Sequence, residues 1–145
     1  MIKQITSNEL NQLVPFFDQY MAFYGKPDSA KYRQYLQDRL EGEEGIIYVA
    51  YDAAGEAIGF VLNYFSFSSL ALGKIVVLND LYVVPDARGQ GIGELLVRQV
   101  FELAKENGAV RVDLGTPNDN LVAQKLYERL GFVRETKFYS YRYAI

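Results

Sequence analysis

The chain has 145 residues, half of them hydrophobic and 23% charged, with a formal net charge of −3. That length suits a single domain with a substantial core, and the composition is globular rather than disordered or membrane-spanning. Cysteine and histidine are both absent, which excludes disulfides, thiolate nucleophiles, Cys/His metal sites and Ser-His-Asp chemistry within the chain.

The acidic balance argues against a broad basic face for nucleic acid. No window reaches the ~18 apolar residues of a spanning helix, and the N-terminal MIKQITSNEL has no apolar signal-like core; the expectation is a cytoplasmic protein with no membrane partner. Catalysis, if any, falls to carboxylates, tyrosines, backbone amides or a reactive cosubstrate, with no metal.

Residues 2–5 alternate weakly as a first strand ending at Thr6. Thr6 and Glu9 match a capping box, and Leu10, Leu13, Val14, Phe17, Met21 and Tyr24 follow at helical spacing. Pro15 lacks an N–H and predicts a kink or split in that helix. Gly25-Lys26-Pro27-Asp28 reads as a turn, with Asp28 or Ser29 capping a second helix through about Leu40. Phe16, Tyr20, Phe23, Tyr24, Tyr32 and Tyr35 make this pair aromatic. They either cement the two helices or form a wall beside an acceptor site.

After the acidic turn Glu41-Gly42-Glu43-Glu44-Gly45, strands are predicted over 46–51, 57–67 and 74–84, the first two joined by a hairpin turn over 52–56. Ile92, Leu95, Leu96, Val100, Leu103 and Ala104 then share one helical face, and Gly108 stops that helix. A short strand over 110–114 follows. Thr116-Pro117-Asn118-Asp119 caps a last helix with Ala123, Leu126, Tyr127 and Leu130 facing inward, ended by Gly131. Residues 132–135 and 137–143 read as two closing strands. No linker or repeat divides residues 1–145, so the fold class is α/β, one domain with a mixed sheet.

The stretch LNDLYVVPDARGQGIGELL, residues 78–96, joins a strand to a helix through a proline turn and a glycine-rich loop. The first N–H groups of a helix lack internal partners and lie at the positive end of its dipole, which makes this junction a candidate anion site. Glycines at 89, 91 and 93 fail the dinucleotide spacing G-x-G-x-x-G, since Glu94 stands in the third glycine's place, and no Gly-Lys-Ser/Thr follows as a triphosphate loop needs. Taken alone, the loop is also explained as a tight strand-to-helix turn.

Arg88-x-x-Gly91-x-Gly93, after a strand and opening a helix, resembles the acetyl-CoA loop of the GNAT acetyltransferase superfamily. The segment from Asn120 through Ala123, Leu126, Tyr127 and Gly131 to Phe132 is similar to the family's downstream signature N-x-x-A-x-x-L-Y-x-x-x-G-F at every fixed place. The order β-α-α-β-β-β-α-β-α-β-β also resembles the family's. The resemblance implies a GNAT acyltransferase fold, its central sheet splayed between strands 74–84 and 110–114 to admit pantetheine.

It further implies acetyl-CoA as cosubstrate. The amides of Arg88, Gly89, Gln90, Gly91, Ile92, Gly93 and Glu94 would take the pyrophosphate, and the backbone of Leu81, Tyr82 and Val83 the pantetheine. Asn120 would bind from the opposite side, with Ala123 and Tyr127 also at the cofactor.

The implied reaction is direct attack of an amine on the thioester, which needs no enzyme nucleophile. A backbone N–H of Leu81 or Tyr82 would meet the oxyanion, and Tyr127 stands at the family's usual general-acid position; its other reading is a packed helical aromatic. A primary amine of pKa about 10.4 arrives protonated, and Asp80 is the carboxylate placed to take the proton, unless it only satisfies backbone at a bulge. Asp28, Glu41, Glu43 and Glu44 either favour a cationic amine or simply solvate a surface. The C-terminal half is similar to the subgroup of yeast histone and polyamine acetyltransferases, which implies a homodimer. A non-catalytic acyl-CoA-binding or regulatory module, and a general anion-binding domain, remain the competing readings.

Overall fold

The computed structural model describes residues 1–26 and 28–145; Pro27, part of the expected 25–28 turn, lies outside the described residues. The chain divides into two compact units, Met1–Gly115 and Thr116–Ile145. Among the described residues no helix is long and apolar enough to cross a membrane.

The first unit carries strands β1 (Ile2–Gln4), β2 (Gly45–Tyr51), β3 (Ala57–Ser68), β4 (Gly73–Val83) and β5 (Arg111–Leu114), with helices α1 (Leu10–Ala22), α2 (Ser29–Glu41) and α3 (Ile92–Glu106). The strands form one sheet in chain order. Its ladders are antiparallel except for the parallel β4–β5 pair, the expected neighbours.

Local chemistry sets the helix starts. Thr6 Oγ1 accepts from the Asn8 N–H at 3.3 Å while Glu9 Oε2 accepts from the Thr6 N–H at 2.8 Å, so the capping box forms and a single turn at Ser7–Glu9 leads into α1. Asp28 Oδ1 accepts from the Lys31 N–H at 3.3 Å and caps α2. Pro15 does not split α1, which runs unbroken from Leu10 to Ala22. The lost N–H lies within the first two turns, where Leu10, Leu13, Val14 and Phe17 are buried on both sides of it and hold the helix in place.

Strand alternation sorts the rest into two layers. On one face Ile47, Val49, Phe60, Leu62 and Tyr82 pack with Leu10, Leu13 and Phe17 of α1 and Leu36 of α2. Neighbouring positions point to α3, which buries Leu96, Val97, Val100, Leu103 and Ala104 and packs across β2, β3 and β4. Each such fully buried aliphatic side chain contributes about 1.5–3 kcal/mol of transfer free energy.

Two irregularities lie in β4. The β3–β4 register slips between Leu62 and Asn63, which pair with Asp80 and Leu78, so Asn79 is an extra residue in β4. The β4–β5 ladder ends at Leu78↔Leu114, while β4 continues to Val83. β4 thus runs five residues past its last β5 partner, at the place where the sequence resemblance put the opening.

In the second unit α4 (Leu121–Arg129) is capped by Asn120. It ends in a Schellman motif: the Gly131 N–H donates to Glu128 O at 3.1 Å, the Phe132 N–H donates to Tyr127 O at 3.0 Å, and Gly131 has φ +103°. The two strands expected over 132–135 and 137–143 are not formed. Alternation supplies a propensity, but a strand exists only where a neighbour shares its ladder; here Phe138, Tyr139, Tyr141 and Tyr143 are all exposed.

Gly59 shows how tightly β3 and β4 approach. A Cβ built there lies 2.9 Å from Tyr82 O and 3.3 Å from Leu96 Cδ1, so Gly59→Ala forces backbone to shift. The expected cost is about 1–3 kcal/mol, measured as a drop in the urea midpoint with an unchanged m-value.

Candidate functional site

After β4, the chain makes one turn at Pro85–Ala87 and then enters Arg88, Gly89, Gln90 and Gly91. Gly89 has φ +76° and Gly91 φ +81°, left-handed values that cost glycine nothing and other L-residues about 1–2 kcal/mol. A Cβ at either position would meet nothing within 4 Å. The dihedral rather than crowding requires glycine, and the ground above the loop is open.

Gly91 is the N-cap of α3, with no side chain capping the helix. The N–H groups of Ile92, Gly93 and Glu94 are thus the first donors of a 15-residue helix, facing outward at its positive end. A pyrophosphate fits such a cradle of bare glycines and open amides.

The loop's own side chains brace it. Arg88 Nε donates to Val83 O at 2.8 Å, and its guanidinium lies 5.6 Å from the Tyr82 ring centroid and 5.8 Å from that of Phe23. Gln90 Nε2 donates to Asp86 O at 3.4 Å. The Glu94 carboxylate is bound along the helix by Arg98 at 2.8 Å. What the loop offers an anion is therefore its backbone, while Arg88 ties the loop to the aromatic layer of α1 and β4.

Beyond Leu78 the β5-facing edge of β4 has no ladder partner among the described residues. The backbone of Leu81, Tyr82 and Val83 belongs to this stretch, where an extended amide chain can add as a strand would. The Tyr82 side chain is buried among Tyr20, Phe23 and Phe60.

The register slip decides where Asp80 points. Because it pairs opposite Leu62 and lies two residues from Tyr82, its side chain shares their face, toward α1. Asn79 Nδ2 donates to Asp80 Oδ2 at 2.8 Å, and Tyr20 of α1 lies on the same side of the sheet, its ring 5.8 Å from that of Tyr82. No Lys or Arg among the described residues pairs with Asp80. Burial pushes the Asp80 pKa up, opposed by the neighbouring Asn79 amide and Tyr20 hydroxyl. The Tyr20 hydroxyl is pushed above the usual phenol range by burial and by the Asp80 charge. Tyr64 is raised as well, chiefly by burial and its bond to Tyr35, with Asp80 contributing.

Among the residues expected at the site, Asp80, Leu81, Tyr82, Val83 and Arg88 to Glu94 follow one another along β4, the loop and the start of α3. Asn120 and Ala123 lie at the start of α4 and Tyr127 on its last turn. Asn120 Oδ1 accepts from the Ala123 N–H at 3.2 Å as the helix cap, so a further contact from Asn120 falls to its amide nitrogen. Tyr127 is buried and meets the Phe132 ring edge-on at 5.7 Å.

The aromatic helices do cement the layer: Phe17 meets Tyr20 and Tyr32 edge-on, and Tyr20 packs against Phe60 and Tyr82. Asp28, Glu41 and Glu44 are engaged locally, by the α2 cap and Lys31, by Gln37 and by Arg39. Asn79 and Tyr64 escaped sequence reasoning: the β3–β4 register makes Asn79 the extra residue and sets Tyr64 two residues from Leu62, the partner of Asp80.

Residues 13–132 match the family described as "Acetyltransferase (GNAT) family". The chain is 37% identical over 141 residues to the "Uncharacterized N-acetyltransferase YhfO" of Bacillus subtilis (strain 168), covering 97% of this chain and 94% of that one. It is 39% identical over 74 residues to the thialysine N-epsilon-acetyltransferase of Bos taurus, 51% of this chain and 43% of that protein. A crystal structure of a probable acetyltransferase superposes with a TM-score of 0.93 at 38% identity, covering 100% of this chain and 97% of the other.

Raising the Asp80 pKa on folding has a thermodynamic sign. Stability is fullest below the unfolded carboxylate value of about 3.9 and declines as pH rises through the higher folded value. Asp80→Asn removes that loss. Paired thermal melts are expected to show the variant above the parent in Tm at about pH 8, with the two converging toward about pH 4.

Proposed function

This chain belongs to the acetyltransferase (GNAT) family and is an acetyltransferase, and we propose that it transfers acetyl from acetyl-CoA to a primary amine by direct attack while both substrates are bound. The observation that carries this reading is the continuity of β4 and its loop: a strand edge over 79–83 with no ladder partner among the described residues leads, within a few residues, to two left-handed glycines and the open N-terminus of α3.

Acetyl-CoA, the usual cosubstrate of the family, supplies an acyl group already activated as a thioester. The backbone of Leu81, Tyr82 and Val83 would align its pantetheine arm, and the amides from Arg88 to Glu94 its pyrophosphate. Asn120 and Ala123, at the start of α4, are assigned to the same cosubstrate on the strength of the sequence signature.

The chain's own groups then manage charge and protons. Asp80 takes a proton from the acceptor ammonium and leaves a neutral amine. Its raised pKa suits that task, because a base nearer neutrality holds the captured proton better than an ordinary carboxylate. An N–H of Leu81 or Tyr82 donates to the carbonyl oxygen as negative charge grows there. Tyr127, held on the last turn of α4 by the Gly131–Phe132 stop, is assigned as the acid that protonates the departing sulfur.

The acceptor is proposed to be a cationic primary amine. Among the described residues the half-buried Asp80 carboxylate accepts from the neutral Asn79 amide and pairs with no Lys or Arg, and an ammonium group would supply the missing positive charge. One relative is named a thialysine N-epsilon-acetyltransferase, which is consistent in kind.

A free-thiol release assay over a panel of primary amines tests the transfer, and thermal shift tests the cosubstrate. Acetyl-CoA at about 100 times its Kd is expected to stabilise the parent by about 2.7 kcal/mol, with ATP giving no shift and Gly91→Val abolishing the effect. Tyr127→Phe is expected to keep that stabilisation and lose about 10²-fold or more in kcat. No stabilisation by acetyl-CoA, or full turnover in Tyr127→Phe, sinks the corresponding assignment.

A further inference from the structure

The free edge of β4 offers fewer backbone groups than the run of residues along it. A strand residue turns its N–H and C=O to the same side, and successive residues turn them to opposite sides. The Val84 N–H donates to Ile58 O, just ahead of Gly59 in β3, at 3.0 Å. In the register Gly59↔Val83, Phe60↔Tyr82, Val61↔Leu81 and Leu62↔Asp80, the backbone groups of Tyr82 and Asp80 are therefore spent on β3 as well. Leu81 and Val83 turn theirs the other way, beyond the end of the β5 ladder at Leu78↔Leu114. Of the two N–H groups assigned to the oxyanion, only that of Leu81 faces the opening.

Arg88 sets where this edge ends. Its Nε donates to Val83 O at 2.8 Å, which agrees, from outside the ladder, with a Val83 carbonyl turned away from β3. The guanidinium is flat and delocalised, and it lies 5.6 Å from the Tyr82 ring centroid and 5.8 Å from that of Phe23. Those two rings are themselves 6.1 Å apart, Tyr82 buried in β4 and Phe23 at the C-terminal cap of α1. Among the described residues Arg88 pairs with no carboxylate. Aromatic packing thus holds the side chain, and its donor stands where the N–H of a neighbouring strand would stand.

Resting on the acetyl-transfer reading, we infer that the Arg88 side chain is a positioning residue for the reaction. By binding the Val83 carbonyl it replaces the missing strand neighbour, and it leaves Leu81 N–H, Leu81 C=O and Val83 N–H for an extended amide chain to meet in order. A strand end without a neighbour frays, whereas a bond from a charged donor holds it extended. A chain sliding toward the loop has to displace that bond. The thioester arm is therefore kept in one register, with its acyl carbonyl delivered to the Leu81 N–H.

The test combines NMR of the free protein with infrared spectroscopy and kinetics. In the free protein the Leu81 and Val83 amides are expected to exchange with deuterium faster than those of Tyr82 and Val84, and acetyl-CoA to slow them. Arg88→Met matches the side chain atom for atom out to the position of Nε and has no donor there. It is expected to shift the Val83 carbonyl carbon while that of Tyr82 stays in place. It is also expected to lower kcat about 10- to 100-fold, the loss of one hydrogen bond to a charged group, with KM for acetyl-CoA unchanged. The carbonyl stretch of bound acetyl-CoA, labelled with carbon-13 in the acetyl group, is expected at lower frequency in the parent than in Arg88→Met. Arg88→Gln places an uncharged N–H the same number of bonds from the backbone, and is expected to recover most of the turnover and of the frequency.

Parental kcat and parental carbonyl frequency in Arg88→Met, with a thermal melt that shows it folded, overturn the proposal. So does full recovery by Arg88→Lys with none by Arg88→Gln, since charge rather than the bond to Val83 then matters. Tyr82 exchanging as fast as Leu81 overturns it too. The carbon-13 shift needs no turnover. A parent that acetylates no amine and gains no protection from acetyl-CoA, while Arg88→Met still moves the Val83 carbonyl, refutes acetyl transfer and leaves the Arg88 brace standing.

Discussion

The register slip at Asn79 is the constraint from which the site takes its shape. Side chains along a strand alternate with period two, so one extra residue exchanges the faces for everything beyond it. Before the slip, Val76 and Leu78 of β4 are buried between the β3 and β5 ladders. After it, Asp80 and Tyr82 face α1, and the β5 ladder has ended. One irregularity thus turns a carboxylate toward the aromatic helices and frees a strand edge at the same point. The glycine loop comes only a few residues later, because the strand, the turn at Pro85–Ala87 and the start of α3 are consecutive in the chain.

Around this slip the protein balances opposite demands. The layer formed by α1, α2 and the sheet is built from Phe17, Leu36, Ile47, Phe60 and Tyr82, side chains that gain by excluding water. The same exclusion raises the free energy of the Asp80 carboxylate. Asn79 offsets part of that cost with a hydrogen bond that brings no charge. The site is therefore held under electrostatic tension by residues whose packing stabilises the fold, a common relation between active sites and their scaffolds.

Much of this is legible in the sequence wherever the physics is local. Thr6 with Glu9, Asp28 as a cap, Gly91 entering α3 and Gly131 leaving α4 are each determined within about four residues, and the structure has each of them. The Gly-Phe pair closing the downstream signature gains a physical meaning: glycine supplies the left-handed turn, and Phe132 supplies both the N–H and the ring that meet Tyr127.

What the sequence hides depends on pairing. Nothing in LNDLYV marks Asn79 as the extra residue, and Tyr64 looks like any strand aromatic until its register with β4 is known. Spacing along the aromatic helices allows cement or an acceptor wall, and the packing of Tyr20 against Phe17, Phe60 and Tyr82 shows the cement. The alternation over 137–143 misleads for the converse reason, since it describes a strand without naming a partner. Pro15 predicts a break through its missing N–H alone, whereas burial on either side of it holds α1 together.

The neutrality of the groups around Asp80 also bears on the direction of turnover. In the proposed reaction the acceptor enters as a cation and leaves as an amide, which carries no charge at neutral pH. The attraction that draws the substrate to the carboxylate is thus cancelled by the chemistry itself, and the product is held by no ion pair. A fixed salt bridge from Lys or Arg at this position would satisfy the carboxylate permanently and blunt that difference. With no such salt bridge at Asp80 among the described residues, the proposed reaction has one carboxylate discriminate between what it accepts and what it must release.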